Sequence, residues 1–433
     1  MKKISFIVLG VWVFFGACRT KSDVPEVQNL DTGGIEAVAP YLTHDNKGNA
    51  VLCWTERDGK DSLYRLKYAL YNTETNQFNP AITVPASAGC SNSAESMGKV
   101  AFKADGSVFA LFARRFPTEK NPYAGAVYYS FSKDDGKNWS DARFLHSDTA
   151  HTYGRSFFDI TTLKGGELAA IWLDGRYGKS IKGSALFFAR TEKGKGFAAD
   201  TCLDKGTCEC CRTDIFSDDA GNIHLAYRNI TFPSALSQKQ VRDMAYKVSS
   251  DNGKTFSEAK TISKDNWQIE GCPHSGPSMT ATKSGTQVVW FTAGGAAGLY
   301  YTSAAGTAGD FRKRNLITAS GRHPQLVAMP GGEKLAMVCE EPVAAEPAHE
   351  MNHSHAKMKM SHTPAGAAKI TLNVLKDGST EKSIAVTDGK AADNHAVLIP
   401  LKDKLLVAWV REEKTGSKLY YTRLNINEQI IKL

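Results

Sequence analysis

Long runs of one charge sign are missing from the 433-residue sequence: lysine plus arginine exceed aspartate plus glutamate by 53 − 45 = 8, and the excess is spread along the chain. Nucleic-acid binding needs a basic stripe or cluster, so nucleic acid is excluded as a partner class. Long apolar runs are missing too outside the first eighteen residues, and no other segment approaches a membrane span. With 42% hydrophobic and 23% charged residues, disorder, collagen and pure coiled coil are excluded as well. Glycine (37 residues) and aromatics (10%) are plentiful, which suggests many short strands joined by tight turns.

The N-terminus has the order of a secretory signal: Lys2 and Lys3, an apolar stretch from Ile4 to Phe15, then Gly16-Ala17-Cys18. Its Phe-Gly-Ala-Cys ending resembles a bacterial lipobox, which implies that Cys18 becomes the lipidated first residue. The expected organisation is a lipoprotein signal peptide at 1–18, a polar tether at 19–36 and a folded body at 37–433. A membrane partner through the lipid anchor follows, with the protein in the cell envelope, periplasmic or surface-exposed. Cys18 aside, eight of the nine cysteines remain, an even number in a compartment that permits disulfides. Cys202, Cys208, Cys210, Cys211 and Cys272 crowd one region, while Cys53, Cys90 and Cys339 are scattered.

The body repeats at intervals of about 60 residues, the sequence signature of a propeller or an array. The second strand of each unit is the most legible, as in NAVLCWTER from Asn49, ELAAIWLDGR from Glu167 and KLLVAWVREE from Lys404. Each is a nearly continuous apolar run, as expected of strands covered on both faces. Third strands recur around Tyr64, Tyr128, Phe187, Tyr246, Tyr300, Leu372 and Tyr420, and short fourth strands follow. The expectation is an all-β propeller of four-stranded blades, seven by this count, with six as the alternative. Closing such blades into a ring protects their edges.

Two units carry a sharper pattern between strands three and four, S-x-D-x-G-x-x-aromatic, with Asp134, Gly136 and Trp139 in one and Asp251, Gly253 and Phe256 in the other. The Asp can cap turn amides, Gly supplies positive φ, and the ring packs back between sheets. Degenerate copies lie at Arg190 to Phe197 and Ser303 to Phe311. These are Asp boxes, and with them nearly the whole mature chain resembles the sialidase-like Asp-box (BNR repeat) propellers. The resemblance implies fold far more than activity, because Asp boxes sit at hairpins away from the catalytic face.

On the opposite face, second strands end and first strands begin, and propellers place their ligand there. Strand-two exits carry Arg57, Arg114, Arg115, Asp174, Arg176, Arg228, Glu340, Glu341 and Arg411. Strand-one entries carry Cys90, Arg155, Cys210, Cys211, Arg212, Cys272, His274, Arg322, His323 and His395. Neighbouring entries can gather Cys208, Cys210, Cys211, Cys272 and His274, a set suited to Cu(I) or Zn. The alternative is stapling disulfides, such as Cys202 with Cys208 and Cys211 with Cys272. An insertion in the sixth unit, residues 342–367, holds His349, Met351, His353, His355, Met358, Met360 and His362. Mixed thioether and imidazole ligands on such a loop resemble exported copper-handling segments. The first expectation is therefore an envelope lipoprotein that binds a metal, copper foremost.

The alternative is an exo-alpha-sialidase, a related glycoside hydrolase, or a glycan-binding propeller. The resemblance implies an arginine triad around a substrate carboxylate, an acid and a tyrosine nucleophile. Arg114, Arg176, Arg228, Arg322 and Arg411 are the candidates for the triad, with Asp174 and Tyr227 for the other roles. Against it, the Phe/Tyr-Arg-Ile-Pro opening motif of sialidases is absent.

Overall fold

The computed structural model describes residues 25–233, 239–271, 273–343 and 367–426. Their regular structure is strand, apart from two three-residue 3-10 turns at Pro85–Ser87 and Gly178–Ser180. The chain is an all-β propeller of four-stranded sheets. One sheet shows the plan: Arg155–Thr162, Leu168–Asp174, Ser184–Arg190 and Thr201–Thr207 pair antiparallel in chain order. Every residue of Leu168–Asp174 is buried, because neighbouring sheets cover both faces, and this explains the apolar runs. Trp54, Trp172, Trp290 and Trp409 occupy equivalent second-strand positions and are fully buried.

The innermost strands touch in sequence around an axis: Glu36–His44, Lys99–Phe102, Arg155–Thr162, Asp214–Ser217, Ser278–Thr282, Arg322–Ala328 and Ala392–Pro400, the last returning to the first. Side-chain rungs link neighbours. Phe157 donates its N–H to Ser96 Oγ (2.9 Å), Ile215 to Asp159 Oδ2 (3.1 Å) and Leu326 to Ser278 Oγ (3.0 Å).

The separate blades do not number seven, nor the alternative six. Among the described residues five sheets stand alone, and the strands expected as the last two units, joined by Gln28–Asn29, form one eight-stranded sheet. The physical reason is a parallel bridge from Ala368 to Ala392, which joins Ala368–Lys376 to Ala392–Pro400 across what would be a blade boundary. Two other expectations change. Thr201–Thr207, in the Cys-rich segment that leads to the strand-one entry at Cys210 and Cys211, is the outer strand of the third unit. Gln28–Asn29, placed in the tether, pairs with Tyr421 and Tyr420 and so covers an edge of the strand Gly416–Asn425.

The Asp boxes do what their residues suggest. Asp134 Oδ1 accepts from Asn138 N (2.9 Å) and Ser132 Oγ (2.8 Å), and Gly136 sits at φ +82°. Asp251 Oδ1 accepts from Thr255 N (2.9 Å) and Ser249 Oγ (2.8 Å), with Gly253 at φ +78°. Each aromatic wedges against the preceding sheet: Trp139 edge-on to Tyr68 at 6.3 Å and Phe256 to Phe188 at 5.0 Å. The degenerate copies place Phe197 against Tyr129 (5.2 Å) and Phe311 against Tyr246 (5.3 Å) in the same way.

Candidate functional site

At the end of the axis remote from the Asp boxes, four units converge on one group of charged side chains. Glu95 comes from the loop entering Lys99–Phe102, Arg212 from the loop entering Asp214–Ser217, His323 and Glu340 from the paired strands Arg322–Ala328 and Leu335–Pro342, and His395 from Ala392–Pro400. His323 (φ 46°) and His395 (φ 52°) occupy left-handed bulge positions where the strand register shifts, as Ala39 and Phe157 do elsewhere in the ring. The bulge recurs at four places in the ring, and at two of them the bulged residue is a histidine. Glu340 ties the pair together, Oε1 lying 2.6 Å from His323 Nδ1 and Oε2 accepting from the His395 backbone N–H at 2.7 Å. Glu95 Oε1 lies 3.3 Å from His323 Nε2 and 4.0 Å from His395 Nδ1, while its Oε2 lies 3.1 Å from Arg212 Nε. The two imidazoles are 5.0 Å apart between centroids. Side-chain exposure runs from 11% at Arg212 to 30% at His395, so the group is sunk in the channel mouth yet reachable from solvent.

The charges condition one another. Burial alone would raise the Glu340 carboxyl, but His323 and His395 outweigh it and hold it at about 2. Against the same burial, Arg212 and the two histidines keep Glu95 below the usual carboxylate range. Burial works to lower the His323 imidazole, yet Glu340 and Glu95 carry it above its ordinary value. His395 goes down, chiefly through burial. Deeper along the axis, burial and then Asp159 push the Asp214 carboxyl up to about 8, while Lys99 lies 3.2 Å from Asp159.

A second group lies where the Cys-rich segment turns into the ring. Cys208 Sγ is 3.5 Å from Cys211 Sγ and 3.7 Å from Cys210 Sγ, all three buried, and Arg242 NH1 is 3.1 Å from Cys208 Sγ. These are non-bonded separations, so no disulfide joins the three sulfurs to one another. Hydrogen bonds from the neighbouring thiols, then Arg242, lower the Cys208 thiol, while burial raises Cys211 to about 12. Cys202 sits apart in the outer strand, and no disulfide staples it to Cys208. His274 is exposed and is not among the ligand atoms gathered around these sulfurs. Cys272, Cys18 and the metal-type residues His349, Met351, His353, His355, Met358, Met360 and His362 lie outside the described residues.

The arginines proposed for a sialidase triad are not brought together. Arg114 donates to Ala88 O (3.1 Å) and Ala86 O (2.6 Å), and Arg228, fully buried, donates to Arg242 O, Ser275 O and Phe291 O. Arg322 donates to Ser320 O and Gly321 O. Arg176 pairs with Asp174 (2.7 Å) and Asp200 (2.6 Å), and Arg411 with Asp393 (2.7 Å). The Asp174 arrangement recurs around the ring: a second-strand Trp donates Nε1–H to a buried carboxylate that a cation neutralises. It is Trp54 with Glu56 and Lys67, Trp172 with Asp174 and Arg155, Trp290 with Asp265 and Arg314, and Trp409 with Asp393 and Arg411. A constellation repeated in four units is architecture. Tyr227, buried and donating to Asp204, has a hydroxyl held well above its ordinary range, chiefly by burial.

Arg212, His323, Glu340 and His395 were legible as residues of this face; Glu95 was not. It lies in an entry loop whose Cys90 drew attention, and a single Glu among Ser, Asn and Ala carries no pattern.

No protein-family model matches the sequence, and no curated protein matches it. Solved structures do resemble it in fold. The polysaccharide lyase Uly1 aligns at 14% identity and TM-score 0.53, covering 95% of this chain and 94% of its own. An ulvan lyase aligns at 11% identity and TM-score 0.48, over 81% of each chain. Trypanosoma rangeli sialidase aligns at 11% identity and TM-score 0.44, over 82% of this chain, which spans only 57% of that enzyme.

Proposed function

We propose that this protein is a glycan-acting propeller of the cell envelope, held to a membrane through Cys18, which takes an acidic glycan at the channel mouth. The observation that carries the reading is the convergence of Glu95, Arg212, His323, Glu340 and His395, from four units, at the reachable end of the axis. The Arg212 guanidinium and the His323 imidazole, whose protonated form Glu340 and Glu95 favour, offer positive charge to a sugar carboxylate or sulfate in a partly desolvated mouth. His323 with Glu340 behind it is a proton-transfer group or a metal ligand, and the two uses exclude each other at Nε2. Fold likeness to a polysaccharide lyase supports the glycan class by analogy. Sialoside hydrolysis is the weaker form of the reading, because each arginine that would serve it is already bonded to carbonyls or carboxylates of its own or an adjoining unit. The test is a panel of acidic and neutral polysaccharides, read for unsaturated uronate products and for new reducing ends. Turnover of an acidic member, lost in Arg212→Gln and kept in Arg411→Gln, is expected; turnover of neutral chains only would overturn it.

One observation favours a second, compatible reading. Cys208 Sγ lies 3.5 Å and 3.7 Å from the Cys211 and Cys210 sulfurs, close to the roughly 3.8 Å edges of a thiolate site with bonds of about 2.3 Å, so Cys208, Cys210 and Cys211 form a candidate Cu(I) or Zn pocket. In this reading the His/Met segment between Glu350 and His362 feeds copper to it. Metal analysis of the native protein, with and without that segment, decides the matter: copper retained by the intact protein and reduced by the deletion is expected, and copper-free protein in both cases contradicts it.

A further inference from the structure

We infer that Glu95, His323 and His395 hold a divalent first-row metal ion at the channel mouth, distinct from any metal on the cysteines. The inference deepens the reading above by naming the cation that meets the acidic ligand.

The geometry is that of a two-histidine, one-carboxylate set. One ligand atom from each residue falls within 4.8 Å of the others. A tetrahedral ion with bonds of about 2.0–2.1 Å sets its ligand atoms about 3.3 Å apart. Glu95 Oε1 to His323 Nε2, at 3.3 Å, already meets that edge, and His395 Nδ1, at 4.0 Å from the same oxygen, needs to close by about 0.7 Å. The three ligands leave a fourth position facing the mouth, where water or a ligand carboxylate would bind.

The surroundings are those of a metal site and not of a plain ion-pair network. Glu95 is ion-paired with Arg212 (3.1 Å) and His323 (3.3 Å), yet neither contact has hydrogen-bond alignment: both its buried carboxylate oxygens accept none, and the buried His395 Nδ1 makes none either. Three ligand atoms face one point and leave it to a shared partner. The outer contacts are also in place. Glu340 takes the Nδ1 side of His323, fixing the tautomer that presents Nε2 inward, and its other oxygen holds the His395 backbone at the bulge. Arg212 faces the Glu95 oxygen turned away from the imidazoles. Charge agrees: with neutral imidazoles, Glu95, Glu340 and Arg212 sum to −1, and a divalent ion makes the mouth +1, suited to an anionic ligand. The donor set is nitrogen and oxygen without sulfur, which favours Zn2+ or a neighbour in the first row over Cu(I).

The test uses the full-length protein in detergent, with Zn2+ and Co2+ as probes and no glycan present. Zn2+ affinity is read by competition with a chromophoric chelator, folding by thermal melting, and donor type by Co2+ absorption. The expected result is one Co2+ equivalent whose ligand-field bands carry no sulfur charge transfer, separate from any Co2+ held by the cysteines. Glu95→Gln and His395→Gln each lose that equivalent, with Zn2+ affinity at least 100-fold weaker. Glu340→Gln, which acts through His323, weakens it about 10–100-fold. Charge-transfer intensity from the cysteines stays constant in all three. If Glu95→Gln and His395→Gln both melt as cooperatively as the wild type and keep every metal equivalent at unchanged affinity, the inference is overturned. Zn2+ bound without acidic-glycan turnover overturns the glycan reading alone; turnover without any nitrogen- and oxygen-bound equivalent overturns the metal alone.

Discussion

At the residue scale, the most unusual protonation lies one layer below the candidate site. Asp214 is half-buried beside Asp159, and desolvation first, then that neighbour, pushes its carboxyl up to about 8. Its native pKa lies above the unfolded value of about 3.9, so the folded state keeps a proton that the unfolded chain has lost. Stability is therefore shed as pH rises from about 4 towards 8, and levels off above that. Asp214→Asn keeps an acceptor for the Met279 N–H and removes the titration. Denaturant unfolding of the variant should match the wild type near pH 4 and exceed it increasingly up to pH 8. A constant difference across that range would show that Asp214 does not titrate in this window.

At the scale of elements, the Asp-box hairpins hold neighbouring sheets together. Trp139 reaches from its own hairpin to Tyr68 of the preceding sheet, and Trp139→Ala should cost about 2–3 kcal/mol in chemical unfolding, part of it from burial and part from the ring contact. Asp134 supports the turn as an anion: hydrogen bonds from Asn138 and Ser132 hold its carboxyl down at about 2. With the native pKa below the unfolded one, its contribution is present above about pH 4 and lost as pH falls towards 2. Asp134→Ala should lower the melting temperature at pH 7 and do so less at pH 2.5; an equal loss at both would assign the effect to packing.

These elements also show what was legible in the sequence. Second strands announced themselves because burial on both faces demands unbroken apolar runs, and Asp boxes because turn geometry demands a fixed order of residues. Thr201–Thr207 was missed because an outer strand, exposed along one side, needs no apolar alternation. Gln28–Asn29 was missed because two paired residues have no period. The merged pair of repeats follows from one bridge between alanines, which no local pattern encodes. In the candidate site, four of five residues could be placed on the right face by strand order alone. Their convergence on one point could not, since it depends on left-handed bulges at His323 and His395 that β-type sequences do not advertise. The sialidase candidates misled for a related reason: Asp174, Arg176 and Arg411 belong to a Trp–carboxylate–cation unit repeated in four places, and in sequence a repeated structural pair looks like a catalytic one.

At the scale of the whole molecule, the propeller separates labour between its ends. Turn-supporting Asp boxes occupy one end, and the other carries the convergence of charged groups, close to the ring's axis and within reach of solvent. The central claim is that this mouth, and not the arginines of individual blades, meets the ligand. It is tested most directly by measuring the affinity of an acidic oligosaccharide for wild-type protein, Arg212→Gln and Arg411→Gln under one buffer and salt. The account predicts binding weakened at least tenfold in Arg212→Gln, with Arg411→Gln within twofold of wild type once its folding is confirmed. Unchanged binding in Arg212→Gln, with binding lost in Arg411→Gln, would contradict it.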